Sequence, residues 1–211
     1  MFTIFAVILF YLKNESTMRS GFINILSKFN EKTINEINTL SGILDYSQYL
    51  GSDQFKQNIE KNFKFIGLVS IRQVRTSATK CRMYDINMNE TCYEETYNDK
   101  TKFYDPILFK LPNGTQDYLY YESNSHTKIK SVAVGLYSSY DGSGYIFTFD
   151  HTDTPSLPLQ RRRFEALSPT YFKENTKAVI INYNLYYPVL NVNLTAQVVA
   201  WRLSSCLRYR L

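Results

Sequence analysis

Histidine is almost missing from this chain: of 211 residues only two are His, His126 and His151. Cysteine is scarce too, at three residues, Cys81, Cys92 and Cys206. No third or fourth ligand stands at zinc spacing, so neither a metal site nor a cofactor is expected. The sequence also lacks a nucleophile elbow and a phosphate-binding loop. Asp141-Gly142-Ser143-Gly144 has the glycine content of a phosphate cradle, but it joins strand to strand without the helix and Lys that would hold a phosphate. Asp150, His151 and Ser156 are neighbours in sequence only, which is not triad geometry. No catalytic residue is assigned, and the chain is read as non-enzymatic.

Long apolar runs are missing as well. Phe2 to Leu12, FTIFAVILFYL, is about 11 residues where a membrane-crossing helix needs about 20. Three readings stay open for it: a signal peptide, against which stand the missing basic segment and cleavage site; the outer half of a transmembrane helix; or a buried N-terminal strand or helix. No stretch has the makings of an ion path. The net charge of +5 is scattered, and its only run is Arg161-Arg162-Arg163. With no aromatic residues interleaved, that run reads as a solvated helix face or a contact to a neighbouring subunit's carboxylates. Nucleic acid is not an expected partner.

What the chain does have is aromatic rings, 18 Tyr and 14 Phe, in runs rich in Val, Ile and Thr. Such residues suit a pleated, half-buried surface. Val132 to Asp150 is interrupted by Asp141-Gly142-Ser143-Gly144 and reads as a hairpin. Lys177 to Arg202 puts Val179, Ile181, Tyr183 and Leu185 on one face, with Ile180, Asn182 and Asn184 on the other, and Pro188 marks a bulge or strand boundary. Phe65 to Val74 has strand character, with Ile66, Leu68 and Ser70 alternating against Gly67, Val69 and Ile71. Thr33-Ile34-Asn35-Glu36 has the form of a capping box, so a helix is expected over 34–50. After a break at Gly51-Ser52-Asp53, residues 54–63 read as helical or irregular. Thr154 before Pro155 is a cap candidate for a last helix, ended by Ser168-Pro169. Helices first, then strands with a crossing helix, make the fold class α+β: an antiparallel sheet covered by helices.

Cys81 and Cys92 flank a segment able to turn back on itself, and a short disulfide loop is expected, which implies an oxidising compartment. Four Asn-x-Ser/Thr sequons agree with that: Asn14, Asn89, Asn113 and Asn193. Asn89 and Asn113 fall in loop-like segments, whereas Asn193 falls in a strand-forming run and is the poorer acceptor.

Several motifs in order resemble the extracellular domain of polycystins. They are Ile71-Arg72-Gln73-Val74-Arg75; Cys81 and Cys92-Tyr93; Tyr140-Asp141-Gly142-Ser143-Gly144-Tyr145; Tyr171; Thr176-Lys177-Ala178-Val179; and Tyr186-Tyr187-Pro188-Val189-Leu190-Asn191. Tyr171 stands where that family usually has Trp, and Lys177 where it has Arg. The resemblance implies the lumenal or extracellular assembly and gating domain of a polycystin-like, calcium-permeable cation channel of the transient-receptor-potential superfamily, truncated before the pore. It implies residues 1–12 as the outer end of a truncated transmembrane helix, 13–32 as a connector, 33–202 as the extracellular domain and 203–211 as a truncated tail. It also implies a Cys81–Cys92 disulfide in a projecting hairpin used between subunits, and partners that are other polycystin-like subunits in a homo- or hetero-tetramer. The membrane would be reached through flanking helices and could be ciliary. The long segment from Tyr93 to Tyr121 is read with that hairpin as the subunit interface, through Phe103, Tyr104, Tyr118 and Tyr120. The alternative is a secreted or membrane-anchored module whose Tyr-rich surface recognises a glycan or a protein.

Overall fold

The computed structural model describes residues 2–7, 40–80, 91–93, 109–110, 116–117, 120–121, 133–134, 139–140, 142–189 and 191–202. Its first strand is β1 (Phe2–Val7). Helix α1 (Leu40–Leu50) buries Ile43, Tyr46 and Leu50 on one stripe. Its expected start near residue 34 lies outside the described residues. Gly51 breaks the chain where a Cβ would come within 2.6 Å of the Phe149 ring, so the turn lies directly on that side chain. Ser52 then caps α2 (Asp53–Glu60), its Oγ accepting from the Phe55 amide at 3.1 Å.

Strand β2 (Lys64–Arg75) follows, then six short pieces in antiparallel pairs. β3 (Ala78–Lys80) pairs with β4 (Thr91–Tyr93), β5 (Phe109–Lys110) with β6 (Gln116–Asp117), and β8 (Ala133–Val134) with β9 (Ser139–Tyr140). The remaining elements are β7 (Tyr120–Tyr121), β10 (Gly144–Phe149), α3 (Leu157–Tyr171), β11 (Thr176–Tyr187) and β12 (Val192–Arg202). Together β1, β12, β11, β2, β10 and β7 form an antiparallel sheet in that spatial order.

The alternation in β11 and β12 decides which way the sheet faces. Val179, Ile181, Tyr183, Leu185, Leu194, Ala196, Val198 and Ala200 are buried in one cluster with the apolar stripes of all three helices. Each fully buried ring or branched chain is worth roughly 1.5–3 kcal/mol against exposure, and these strand residues form the sheet's side of that core. On the opposite face Val74, Tyr140, Ala178, Ile180 and Val199 form a smaller cluster. The sheet is therefore covered on both faces at one end, where β2 is buried continuously from Ile71 to Arg75.

Several expectations need correcting. Phe2–Val7 is an extended strand, not a helix: it pairs with β12 from Phe2 opposite Arg202 to Val7 opposite Gln197. Its β-branched and aromatic residues extend the open edge of a sheet, and its backbone groups find partners there. Among the described residues no helix is long and apolar enough to cross a membrane. Val132–Asp150 is not a hairpin. β9 pairs with β8, whereas β10 pairs with β2 and β7. The reason lies at Gly144, whose φ is +137° and whose Cβ, if present, would sit 2.5 Å from the Gln73 carbonyl oxygen. The backbone there is laid against β2 rather than folded back on β9.

In β2 the alternation breaks at Gly67, with φ +74°, inside a register shift against β11, so Ile66, Gly67 and Leu68 are all exposed. Helix α3 does not end at Ser168-Pro169 but continues to Tyr171. Pro169 has no N–H for the Glu165 carbonyl, and the Ser168 hydroxyl donates to that oxygen instead at 2.8 Å. The N-cap position is Ser156, without a side-chain cap bond, while Thr154 Oγ1 accepts from Lys56 Nζ at 3.0 Å.

Candidate functional site

The C-terminal end of α3 is drawn onto the covered end of the sheet by a buried polar cluster. Helix ends leave carbonyls without intrahelical partners. The carbonyl of Tyr171 is such a group, and it accepts from Arg75 Nη2 at 2.9 Å and from Gln73 Nε2. Gln73 Oε1 in turn accepts from the Thr176 hydroxyl at 2.9 Å and from Arg75 Nε at 3.3 Å. Thr176 Oγ1 also accepts from the Lys173 amide at 3.1 Å, which closes the turn between α3 and β11. The Arg75 guanidinium lies 4.1 Å from the centroid of the Tyr145 ring. A cation over an aromatic face, desolvated, is attracted by the ring quadrupole.

Tyr171 fastens the helix from the other side. Its hydroxyl reaches the carbonyls of Ile71 and Tyr145, each at 2.9 Å, one on β2 and one on β10. Burial pushes this phenol far above its usual range, so it stays a donor. Arg72 Nη1 donates to the Ser143 carbonyl at 3.0 Å and holds the segment before Gly144 against β2. Lys177 is the inserted residue where the register between β11 and β2 shifts. Arg72, Gln73, Arg75, Gly142, Gly144, Tyr145, Thr176 and Lys177, dispersed over more than a hundred residues of chain, are all buried at this end of the sheet, Gln73 and Arg75 on the helix face and Arg72, in register with Ile180, on the other. Asn191 stands apart, in the β11–β12 turn with φ +52°.

A second polar point joins the helices to the sheet. His151 Nε2 lies 2.7 Å from the Leu50 carbonyl at the end of α1; an oxygen there can only accept, so Nε2 carries the proton. The imidazole is stacked on Phe65 at 4.6 Å and packed beside Phe55, and its Nδ1 has no hydrogen-bond partner. Burial lowers its pKa. Arg161 reaches across from α3 to the Gly51 carbonyl and grips both carboxylate oxygens of Asp53, holding that carboxyl below its usual range. The arginine run is therefore divided: Arg161 is bound within the chain, and Arg162 and Arg163 face solvent.

Asp150 Oδ1 accepts from the Thr152 and Asp153 amides at 2.9 and 3.1 Å, and the Ser156 hydroxyl donates to the Asp153 carbonyl at 3.2 Å. With His151 turned to Leu50, the three residues do not converge. Among the described residues no group of three His, Cys, Asp or Glu side chains is placed to hold a metal ion. What the junction does is tie one helix and three strands into a single unit.

The family model of the Polycystin domain matches residues 39–202. The chain belongs to the polycystin-domain family. No curated protein matches it. The family is one of ion channels, not a class of enzymes, and its membership associates this chain with the membrane and with assembly among channel subunits. The matched span of this polycystin domain contains all three helices and the sheet from β2 to β12.

Of the other sequence-derived positions, Asn14, Cys81, Asn89, Phe103, Tyr104, Asn113, Tyr118 and Cys206 lie outside the described residues. Cys92 is opposite Thr79, and Thr91 is opposite Lys80, the residue before Cys81. Tyr120 lies in β7, opposite Tyr145, so the end of the long segment joins the main sheet. Asn193 is exposed on β12. The sequence assigned neither His151 nor Ser143 the role it has here. A lone His two residues after an apolar strand ending in Phe149 was the available signal for the first; the second contributes a carbonyl, which no residue pattern reveals.

Proposed function

We propose that this chain is the extracellular or lumenal assembly and gating domain of a polycystin-like, calcium-permeable cation channel, working within a homo- or hetero-tetramer. The observation that carries the reading is the Polycystin domain match over residues 39–202. The pairing of β1 with β12 supports it: Phe2 and Arg202 are register neighbours, so the chain enters and leaves the sheet on the same edge. A block inserted between two membrane helices needs that geometry. The tie between α3 and the central strands lets the block move as one body, so a displacement at its rim biases whatever is attached at its base. The Cys81–Cys92 hairpin and the segment bearing Phe103, Tyr104, Tyr118 and Tyr120 contact the neighbouring subunit, and Asn89 and Asn113 carry glycans.

The test is cross-linking in membranes of the tagged chain co-expressed with a pore-bearing polycystin subunit. Cross-linked species joining the two are expected, and Phe103→Ser with Tyr104→Ser should reduce them several-fold while the melting temperature of the isolated chain stays unchanged. A folded chain that never cross-links to the channel overturns the assembly role. If the double substitution unfolds the isolated chain, those rings are core and the interface assignment is wrong.

A further inference from the structure

The face of the sheet turned away from the helices changes character along its length. At one end it is the buried apolar cluster around Ile180 and Val199. Towards the β11–β12 turn it becomes a half-exposed array of amides and hydroxyls in cross-strand register. Gln197 Nε2 donates to Asn182 Oδ1 at 2.8 Å, and the Thr195 hydroxyl to Asn184 Oδ1 at 2.8 Å. The next pair in that ladder is Asn193 opposite Tyr186. Asn193 is exposed, Leu194 is buried beneath it, and Thr195 completes a sequon.

We infer that Asn193 carries an N-linked glycan whose first sugar lies on the ring of Tyr186. The inference rests on the lumenal placement proposed above. The transfer needs a polyisoprenyl-pyrophosphate-linked oligosaccharide as donor. Asn193 Nδ2 forms the bond to C1 of the first N-acetylglucosamine, the C1–O bond to pyrophosphate breaks, and one amide proton passes to the transferase.

Three observations favour this occupant. Directly opposed residues of an antiparallel pair have Cβ atoms about 5 Å apart, close to the width of one sugar ring, so the ring and the attached sugar are neighbours. Tyr186 is half-exposed and held in place, its hydroxyl donating to Asn191 Oδ1 at 2.9 Å. A fixed ring with a negative face suits the C–H face of a pyranose at little further ordering cost. Finally, Gln197, Thr195, Asn193, Asn182 and Asn184 are all uncharged, and Lys64, opposite Tyr186 on β2, adds a single exposed positive charge at the rim of this face. Ile66, opposite Asn184 and 40% exposed, lies one strand further on, within reach of a second sugar.

The full chain, led into the secretory pathway of a glycosylating cell, is examined by glycopeptide mapping and thermal melting, against Asn193→Gln in the Tyr186, Tyr186→Phe and Tyr186→Thr backgrounds. Asn193 should be occupied, and losing its glycan should lower the melting temperature by about 2–4 °C with Tyr or Phe at 186 but not with Thr. A bare Asn193 beside an occupied Asn14, Asn89 or Asn113 overturns the inference and leaves the lumenal reading standing. No glycan at any of the four overturns the lumenal reading itself. An occupied Asn193 whose effect is the same in all three backgrounds overturns the stacking.

Discussion

Arg75 lies over the ring of Tyr145 and at the same time donates to the carbonyl of Tyr171. One buried side chain thus joins β2, where it originates, to β10 and to the end of α3.

Replacing Arg75 by Met keeps the stem and removes the fork. The Tyr171 carbonyl and Gln73 Oε1 would each lose a donor in a site where water cannot substitute, so unfolding should become easier by about 2–4 kcal/mol. Lys should rescue only part of this, because its three donors radiate from one atom and lack the planar fork whose Nε and Nη2 reach the two acceptors. Urea denaturation of both variants, with unchanged slope, measures it; a loss under about 0.5 kcal/mol would show that the junction is dispensable.

Gly144 and Gly67 both have positive φ, yet they should respond differently to Ala. At Gly144 the new Cβ meets the Gln73 carbonyl at 2.5 Å, and at Gly67 it meets nothing within 4 Å. Gly144→Ala should cost at least about 3 kcal/mol and Gly67→Ala about 1–2 kcal/mol, the strain of the backbone alone. Equal losses from thermal or urea melts would contradict the close approach of β10 to β2.

Stability should fall as pH drops below the ordinary histidine range, about 6.5. His151 has a lowered folded pKa, burial being the main cause, with Lys56 and Arg161 adding to it and Asp150 opposing. In the window between the two values the unfolded chain binds a proton that the folded chain refuses. The contribution is therefore complete above the unfolded value and lost as pH falls towards the folded one. A further loss belongs to Asp53 and Asp150, whose carboxyls are held low by Arg161 and by Thr152 and whose contribution disappears as pH falls through their folded values. Urea midpoints between pH 7.5 and 5 should decline in the wild-type chain and flatten in His151→Phe; an unchanged slope in the variant would assign the effect elsewhere.

Secreted chain mapped without reduction should yield Cys81 and Cys92 as one linked peptide pair and Cys206 free. A loop of about 12 residues closed in this way contributes on the order of 2–3 kcal/mol. Free thiols at both positions would remove the staple from the hairpin.

How much of this was legible in the sequence depends on whether the cause was local. Val179, Ile181, Tyr183 and Leu185 announce a strand and its buried face because period-two alternation is a property of a few adjacent residues. Tyr140 to Gly144 misled for the same reason: Asp-Gly-Ser-Gly is a strong local turn signal. The chain there is instead directed by Arg72 and Gln73, some seventy residues earlier. Arg72, Gln73 and Arg75 carried the family resemblance, but a run of polar side chains gives no hint that it is buried. Partners distant in sequence, Tyr171 and Thr176 for Gln73 and Arg75 and Ser143 for Arg72, make that burial tolerable. Ile66 and Leu68 read as one face of a regular strand, alternating against Gly67 and Val69, because nothing in their own order reveals a bulge.

The register of β1 against β12 also decides how the domain yields to force. Phe2 opposite Arg202 is the outermost rung, and the two strands run antiparallel from there to Val7 opposite Gln197. Tension drawn between Phe2 and Arg202 loads those rungs one at a time, as in opening a zipper, rather than shearing all of them together. A modest pull would peel β1 away first and lengthen the tether while β12, β11, β2 and β10 stay closed around their helices. The edge strand would then serve as slack in the linkage, yielding before the core does and re-forming when the load is released.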